Sequence, residues 1–266
     1  MKILFIGGNH PRHIHYISRI NESFPVSGCI IETREGGTSS PVPNPPSDLS
    51  NHDTDIFTRH FANRLKCEEK FFGDTKLPDC PTLNITKEQL NTSHTADFVQ
   101  SISPDVVLTF GCHMIKTPLL NVLPKNTINM HGGLSPRYRG VATMFWPFYF
   151  LEPNHVGTTF HYLSDSPDAG SIIHQSIPVL QRNDTIHDVA CKAILTSSDE
   201  MVRLLEILQS SNWKSFSQPK TGKEFVNQDF KPEHLRVIYD LFDDDLVNHF
   251  LDGKIKSDPP KLIRQF

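Results

Sequence analysis

Within its first 32 residues the chain passes from a short apolar run, residues 2–6, through Gly7-Gly8-Asn9-His10 into a segment carrying Ile14, Ile17 and Ile20, and out into a second apolar run at 26–32. Isoleucines three apart mark one face of a helix, while the flanking runs read as strands. A helix between two strands is the crossover that parallel pairing demands, because parallel neighbours cannot be joined by a tight hairpin. The opening therefore predicts an α/β fold built on a mostly parallel sheet.

The rest of the sequence extends the pattern. Residues 36–50 are rich in Gly, Ser and Pro, which cannot sustain a regular hydrogen-bond ladder, and predict a surface loop. A helix is expected over 55–72, where Phe57, Phe61, Leu65 and Cys67 give an imperfect apolar stripe, and a shorter one over 96–102, stopped by Pro104. Residues 105–110 form a continuous apolar run ending at Gly111, as a central strand buried on both faces would. Further strands are expected at 127–130, 156–163 and 171–180, the last two flanking a polar turn at 164–170. Asp184 or Thr185 caps a long helix running through Ile194, Met201 and Leu208. Beyond Ser211 the pattern breaks into short pieces, with a Thr221-Gly222 turn and brief helices over 232–242 and 243–251. The expected organisation is a principal domain over 1–211 and a small C-terminal extension of helices and a hairpin over 212–266.

Composition narrows the function classes. No apolar run approaches the length of a membrane-spanning helix, and the N-terminal run ends in Gly7-Gly8-Asn9 rather than a cleavage site, so a soluble cytoplasmic protein without a membrane partner is expected. A net charge of -4 offers no general attraction for polyanions, and nucleic acid is not an expected partner. The five cysteines, Cys29, Cys67, Cys80, Cys112 and Cys191, are scattered without a CxxC pair; they are expected to be reduced thiols, and no metal site is expected.

The most informative stretch is Asn129-Met130-His131-Gly132-Gly133-Leu134-Ser135-Pro136-Arg137-Tyr138-Arg139-Gly140, with Asp168-Ala169-Gly170 further along and Gly157-Thr158-Thr159-Phe160-His161 and Ile172-Ile173-His174-Gln175 on either side of the latter. A lone His at a strand end is usually an ordinary polar residue, and Asp-Ala-Gly alone is an everyday turn. Their order together resembles the folate-dependent formyltransferase family over residues 105–180. The resemblance implies a Rossmann-like, mostly parallel twisted sheet with flanking helices and transfer of a formyl group from 10-formyltetrahydrofolate to a primary amine. It carries over onto Asn129, His131 and Asp168 as catalytic residues.

The spacing makes chemical sense on its own terms. Residues i and i+2 of a strand point to one side, so Asn129 and His131 project together. Formyl transfer needs the carbonyl oxygen stabilised as it becomes an oxyanion and needs the attacking ammonium to lose a proton. Asn129 and a protonated or donating His131 are expected to hold the oxyanion, while Asp168 removes the proton through water or through His131.

By the same resemblance the folate pterin would lie against Gly111-Cys112-His113-Met114-Ile115 and Asp165-Ser166-Pro167. Main-chain N–H groups of Gly8, Asn9 and His10 at a helix start suit a phosphate of the acceptor, weakly, since neither a GxGxxG nor a GK[ST] pattern is present. Arg12 and the run Arg137-Tyr138-Arg139 are further acceptor-binding candidates, with Arg59 and Arg64 held more loosely against the alternative of a solvated face.

Within the family, the acidic Asp243-Asp244-Asp245 tail disfavours a tRNA substrate. The Pro-rich loop and C-terminal helices add to what a glycinamide ribonucleotide transformylase usually has. The branch the chain most resembles is the sugar N-formyltransferases, which act on nucleotide-linked amino sugars such as 4-amino-4,6-dideoxyhexoses. A purine-pathway transformylase, a formyl-folate hydrolase and a non-catalytic binding protein of the same fold stay open. Val237, Ile238, Leu241, Phe242 and Phe250 would either form a homodimer surface or cover the sheet.

Overall fold

The computed structural model describes residues 1–33, 42–164, 166–210, 213–219 and 221–266. The predicted loop at 36–50 falls partly outside these residues. A seven-stranded sheet runs in the order β3-β2-β1-β4-β5-β7-β8. Its parallel part comprises β1 (Ile3–Gly8), β2 (Val26–Glu32), β3 (Thr82–Ile85), β4 (Val106–Phe110) and β5 (Thr127–His131). The strands β7 (Thr158–Tyr162) and β8 (Ile172–Ser176) continue it antiparallel from β5. The predicted mostly parallel sheet with flanking helices is the observed one.

Helix α1 (Pro11–Asn21) opens with proline at its first position and buries His13, Tyr16, Ile17 and Ile20. Helix α2 (Asn51–Phe72) begins four residues earlier than the apolar stripe suggested, because the Ser50 hydroxyl accepts from the Asp53 N–H at 3.1 Å and caps it. Helix α3 (Ser93–Ile102) ends on Ser103 in the left-handed conformation, just before Pro104. Helix α4 (Trp146–Tyr149) is a single turn. Helix α5 (Ile186–Ser210) starts after a Thr185–Asp188 box: Asp188 N–H donates to Thr185 Oγ1 and Thr185 N–H to Asp188 Oδ2, both at 3.1 Å. Two short helices, α6 (Arg236–Tyr239) and α7 (Leu246–Leu251), follow.

Strand alternation sends Ile3 and Phe5 to the face packed by α1 and α5, and Leu4 and Ile6 to the face covered by Leu90 and Val99. A third cluster joins Phe57 and Phe61 of α2 to Trp146, Phe225, Ile238 and Leu246. The C-terminal segment therefore covers core. Of its apolar residues, Ile238 is buried while Leu241 is 70% exposed. Within it, β9 (Lys223–Phe225) pairs in parallel with β6 (Tyr138–Gly140), a three-residue contact that no periodicity announces.

This topology fixes where a ligand can bind. β1 leads outward to β2 and β3, whereas β4 leads the other way to β5, so the order reverses between β1 and β4 and leaves a crevice at their carboxyl ends. Among the described residues, no helix is long and apolar enough to cross a membrane, and no three or more His, Cys, Asp or Glu side chains gather as metal ligands would.

Candidate active site

A polar row crosses three strands of the sheet. Thr109 on β4 is in register with Asn129 on β5, which lies opposite His161 on β7. Thr109 Oγ1 donates to Asn129 Oδ1 at 2.7 Å, and Asn129 Nδ2 donates to His161 Nε2 at 3.0 Å. His161 Nδ1 meets the Tyr162 carbonyl at 2.8 Å. A carbonyl only accepts, so Nδ1 carries the proton and Nε2 of the neutral ring is left to accept from the amide. The Asn129 side chain is thereby oriented from both ends.

Two residues on, β5 turns His131 to the same side. Its ring is buried, with Nε2 2.8 Å from the Tyr138 carbonyl and Nδ1 3.3 Å from Asp168 Oδ2. Both nitrogens face acceptors.

Asp168 comes from the turn between β7 and β8, where its φ of 48° places it in the left-handed region that Asp tolerates. Its Oδ1 lies 3.4 Å from Asn129 Nδ2 and 3.5 Å from His161 Nε2, and its Oδ2 accepts from the Gly140 N–H at 3.1 Å. Burial acting alone would raise this carboxyl. The charge of His131, the contacts with His161 and the Gly140 N–H outweigh burial and hold it well below the usual carboxylate range.

A second row supports the first. Thr159, opposite His131, donates to the Gly133 carbonyl at 2.7 Å and accepts from the Ser135 N–H at 2.9 Å, while Gln175 Nε2 donates to the Ser135 carbonyl at 2.7 Å. These bonds fix the loop after β5. Gln218 Nε2 ties down the Asp168 turn through the carbonyls of Asp168 and Gly170, at 2.8 and 2.7 Å. Gly140 has to be glycine: its φ is 89°, and a Cβ there would sit 2.1 Å from the Phe225 carbonyl oxygen.

The three residues expected to be catalytic thus meet, and Thr109, Thr159, His161, Gln175 and Gln218 join them. Sequence reading assigned no role to these five. Thr159 and His161 carry a period-two signal on β7, but their pairing with β5 depends on strand register; Thr109 reads as one more residue of a buried strand.

Beside this centre a cavity of about 530 Å³ opens between α1, α2, α5 and the segment at 140–145. His10 and Arg12 line it, as do Gly111, His113, Gly132 and Gly140. Gly8 and Asn9 precede His10 at the carboxyl end of β1.

On the other side of the crevice, Cys112 and Leu163 pack against one apolar cluster that contains Ile115, while Met114 is 39% exposed. Glu32, fully buried at the end of β2, accepts from the His113 N–H at 2.9 Å and is bonded to the His113 ring as well, so it braces this loop. Ser166 and Pro167 are exposed next to Asp168; Asp165 lies outside the described residues.

Arg137 and Tyr138 are directed elsewhere. Arg137 Nη2 and Tyr138 Oη both donate to the Glu152 carboxylate at 2.6 Å, Tyr138 is buried in the third cluster, and neither lines the cavity. Arg139, half-buried on β6, does not line it either. Arg59 pairs with Asp243 at 3.0 Å near the surface, whereas Arg64 belongs to the cavity wall.

Comparison with known proteins agrees with this fold. A phosphoribosylglycinamide formyltransferase from Anaplasma phagocytophilum superposes with a TM-score of 0.56 at 16% identity, covering 84% of this chain and 95% of that one. A sugar N-formyltransferase from a Shewanella species gives 0.55 at 16% identity, with 90% and 87% covered. An N-formyltransferase from Helicobacter canadensis, solved with folinic acid and dTDP-3-aminofucose, gives 0.53 at 15% identity, with 91% and 81% covered. At such identities these likenesses establish the fold alone. The formyl transferase family matches residues 49–204, more than half of the 266-residue sequence and the stretch that supplies Asn129, His131 and Asp168, and the chain belongs to that family.

Proposed function

We propose that this formyltransferase moves the formyl group of 10-formyltetrahydrofolate to the primary amine of a nucleotide-linked amino sugar, such as a 4-amino-4,6-dideoxyhexose. The observation that carries the reading is the meeting of Asn129, His131 and Asp168 on one side of β5, next to a cavity of about 530 Å³. Support for the acceptor class comes from the structurally similar sugar N-formyltransferases, one of them holding a nucleotide-linked amino sugar beside a folate.

When bound, the reduced folate supplies the activated formyl carbon. The acceptor nitrogen forms a bond to that carbon as the bond to N10 breaks; the amine gives up a proton and N10 gains one. Asn129 has two amide hydrogens. One is committed to His161 at 3.0 Å; the other is directed at Asp168 across 3.4 Å, at the weak end of hydrogen-bond range, and it is the donor for the formyl oxygen. The sequence reading gave His131 the same direct role. With both its nitrogens engaged by the Tyr138 carbonyl and the Asp168 carboxylate, it instead positions Asp168 beside that oxygen. Asp168, ionised throughout the working range, takes the amine proton through water or through His131.

On the donor side, half-buried Cys112 and Leu163, packed over the cluster that contains Ile115, suit the flat face of a pterin, with main-chain groups of the same loop available to its ring. On the acceptor side, the cavity carries His10 and Arg12. A glycinamide ribonucleotide acceptor is the second reading, favoured by the phosphoribosylglycinamide formyltransferase that this chain covers over 95% of its length. Incubation with 10-formyltetrahydrofolate and a panel of nucleotide-linked amino sugars plus glycinamide ribonucleotide, read by mass spectrometry, tests both. A formyl mass gain on an amino sugar is expected. A gain on the ribonucleotide alone would replace the proposal with the second reading, and no gain on any amine would remove both.

A further inference from the structure

Two cysteines far apart in sequence meet at the outer edge of the sheet. Cys29 is fully buried on β2, and Cys80, half-buried, lies just before β3. Thr82 of β3 is in register with Cys29, and the Cys29 N–H donates to the Pro81 carbonyl at 2.9 Å, so the backbone itself brings residue 80 beside residue 29. Thr82 Oγ1 donates to the Cys80 carbonyl at 3.0 Å and fixes the approach. Both thiols are free, and their sulfurs stand 3.6 Å apart. A disulfide forms once such a contact closes to about 2 Å. The two thiols differ in access. Solvent reaches Cys80, whereas burial, reinforced by the neighbouring Cys80 thiol, holds the Cys29 thiol well above its ordinary range. An external oxidant therefore meets Cys80 first, and Cys29 reacts only with a sulfur already in contact with it. The other adjacent pair lacks such an entry: Cys67 and Cys191 are hydrogen-bonded to each other, but both are buried, and the Asp188 carboxylate, 3.7 Å from the Cys67 sulfur, disfavours a thiolate there.

We propose that Cys29 and Cys80 are a redox dithiol, whose oxidation by a low-molecular-weight disulfide such as oxidised glutathione closes a clasp between β2 and the entry to β3. The Cys80 thiolate attacks one sulfur of the oxidant and expels a first thiolate, which leaves a mixed disulfide on Cys80. Cys29 then gives up its proton, its sulfur attacks the Cys80 sulfur, and the second thiolate departs. Two protein thiols are oxidised, one small disulfide is reduced to two thiols, and the released protons balance the departing thiolates. β3 is the outermost strand of the sheet, paired with β2, so the new bond fastens that edge. It also closes a ring that contains the whole of α2, the helix that gives His60, Phe61, Arg64 and Glu68 to the cavity wall. Closing so long a loop restricts the unfolded chain and stabilises the folded one. The clasp is independent of which amine the enzyme formylates.

The test is equilibration of the folded full chain with mixtures of reduced and oxidised glutathione, followed by alkylation of the remaining thiols, proteolysis and mass spectrometry. Wild type, Cys29→Ser and Cys80→Ser are compared. Wild type should yield a peptide cross-linked between Cys29 and Cys80, and its Tm should rise by about 5–10 °C on oxidation. Cys29→Ser should stop with glutathione attached to Cys80, Cys80→Ser should keep Cys29 reduced, and neither should gain in Tm. Wild type alone decides the matter where a variant is unstable. Alkylated Cys29 and Cys80 in every mixture, a cross-link that joins other cysteines instead, or a bridge between Cys29 and Cys80 that leaves Tm unchanged would overturn the clasp. So would glutathione on Cys29 in the Cys80→Ser protein, because the order of attack requires Cys80 to react first.

Discussion

Asn129 is held at both ends by Thr109 and His161, His131 by the Tyr138 carbonyl and the Asp168 carboxylate, and Asp168 by three separate donors, Asn129, His131 and the Gly140 N–H. Side chains constrained in this way need little reorganisation when charge develops on a nearby oxygen, which is where preorganised donors contribute most. Asn129→Ala, His131→Ala and Asp168→Asn are each expected to lower kcat about a hundredfold to ten-thousandfold while the variants stay folded, as steady-state rates and circular dichroism would reveal. Asp168→Asn suits this purpose because Asn accepts the left-handed φ of 48° as readily as Asp does. Because the three act as one unit, the Asn129→Ala/Asp168→Asn double variant should be little slower than the slower single variant. Near-native rates in all three single variants would exclude these groups from the reaction.

Among the elements, the start of α5 carries an unusual carboxylate. Asp244 accepts from the Ile186 N–H at 3.0 Å. Burial, reinforced by the charges of Asp188 and Asp243 and opposed by the Ile186 N–H and Arg59, pushes its carboxyl up to about 6. The native state therefore keeps this proton to a higher pH than the unfolded chain does. Stability from this group is complete at low pH and declines as pH rises between about 4 and about 6, by at most about 3 kcal/mol. Asp244→Asn retains an acceptor for Ile186 and tolerates the local φ of 58°. Its Tm at pH 7 should exceed that of wild type, and the difference should vanish near pH 4. Parallel curves of Tm against pH for the two proteins would contradict this account.

At the scale of the molecule, the sheet edge at β8 is closed by segments distant in sequence. Phe216 exchanges two backbone hydrogen bonds with Ile172 at 2.8 Å, the Ile263 carbonyl accepts from Gln175 N–H at 2.7 Å, and Gln265 Nε2 donates to the Ile173 carbonyl at 2.6 Å. An uncovered edge strand is a template for pairing with another chain. Removal of residues 262–266 should lower Tm and produce concentration-dependent association measurable by light scattering. A truncated protein that stays monodisperse and equally stable would show that Phe216 suffices to protect the edge.

What the sequence by itself determined was whatever depends on short-range periodicity and local chemistry. The apolar runs gave β1, β2, β4 and β5, Thr185 and Asp188 gave the start of α5, and the i, i+2 spacing of Asn129 and His131 placed their side chains together. The family followed from the same residues. Register and long-range closure were decided only in three dimensions. Nothing local to Thr109 or His161 says that they flank Asn129, because that follows from which strands pair and where. Nor does the run Arg137-Tyr138-Arg139 disclose that Glu152 draws its first two side chains away from the cavity, or that β9, more than eighty residues later, shapes the strand holding Gly140 against Asp168. Strand pairs and buried charge pairs join residues across intervals that carry no periodic signal, so they exist only once the chain has closed on itself.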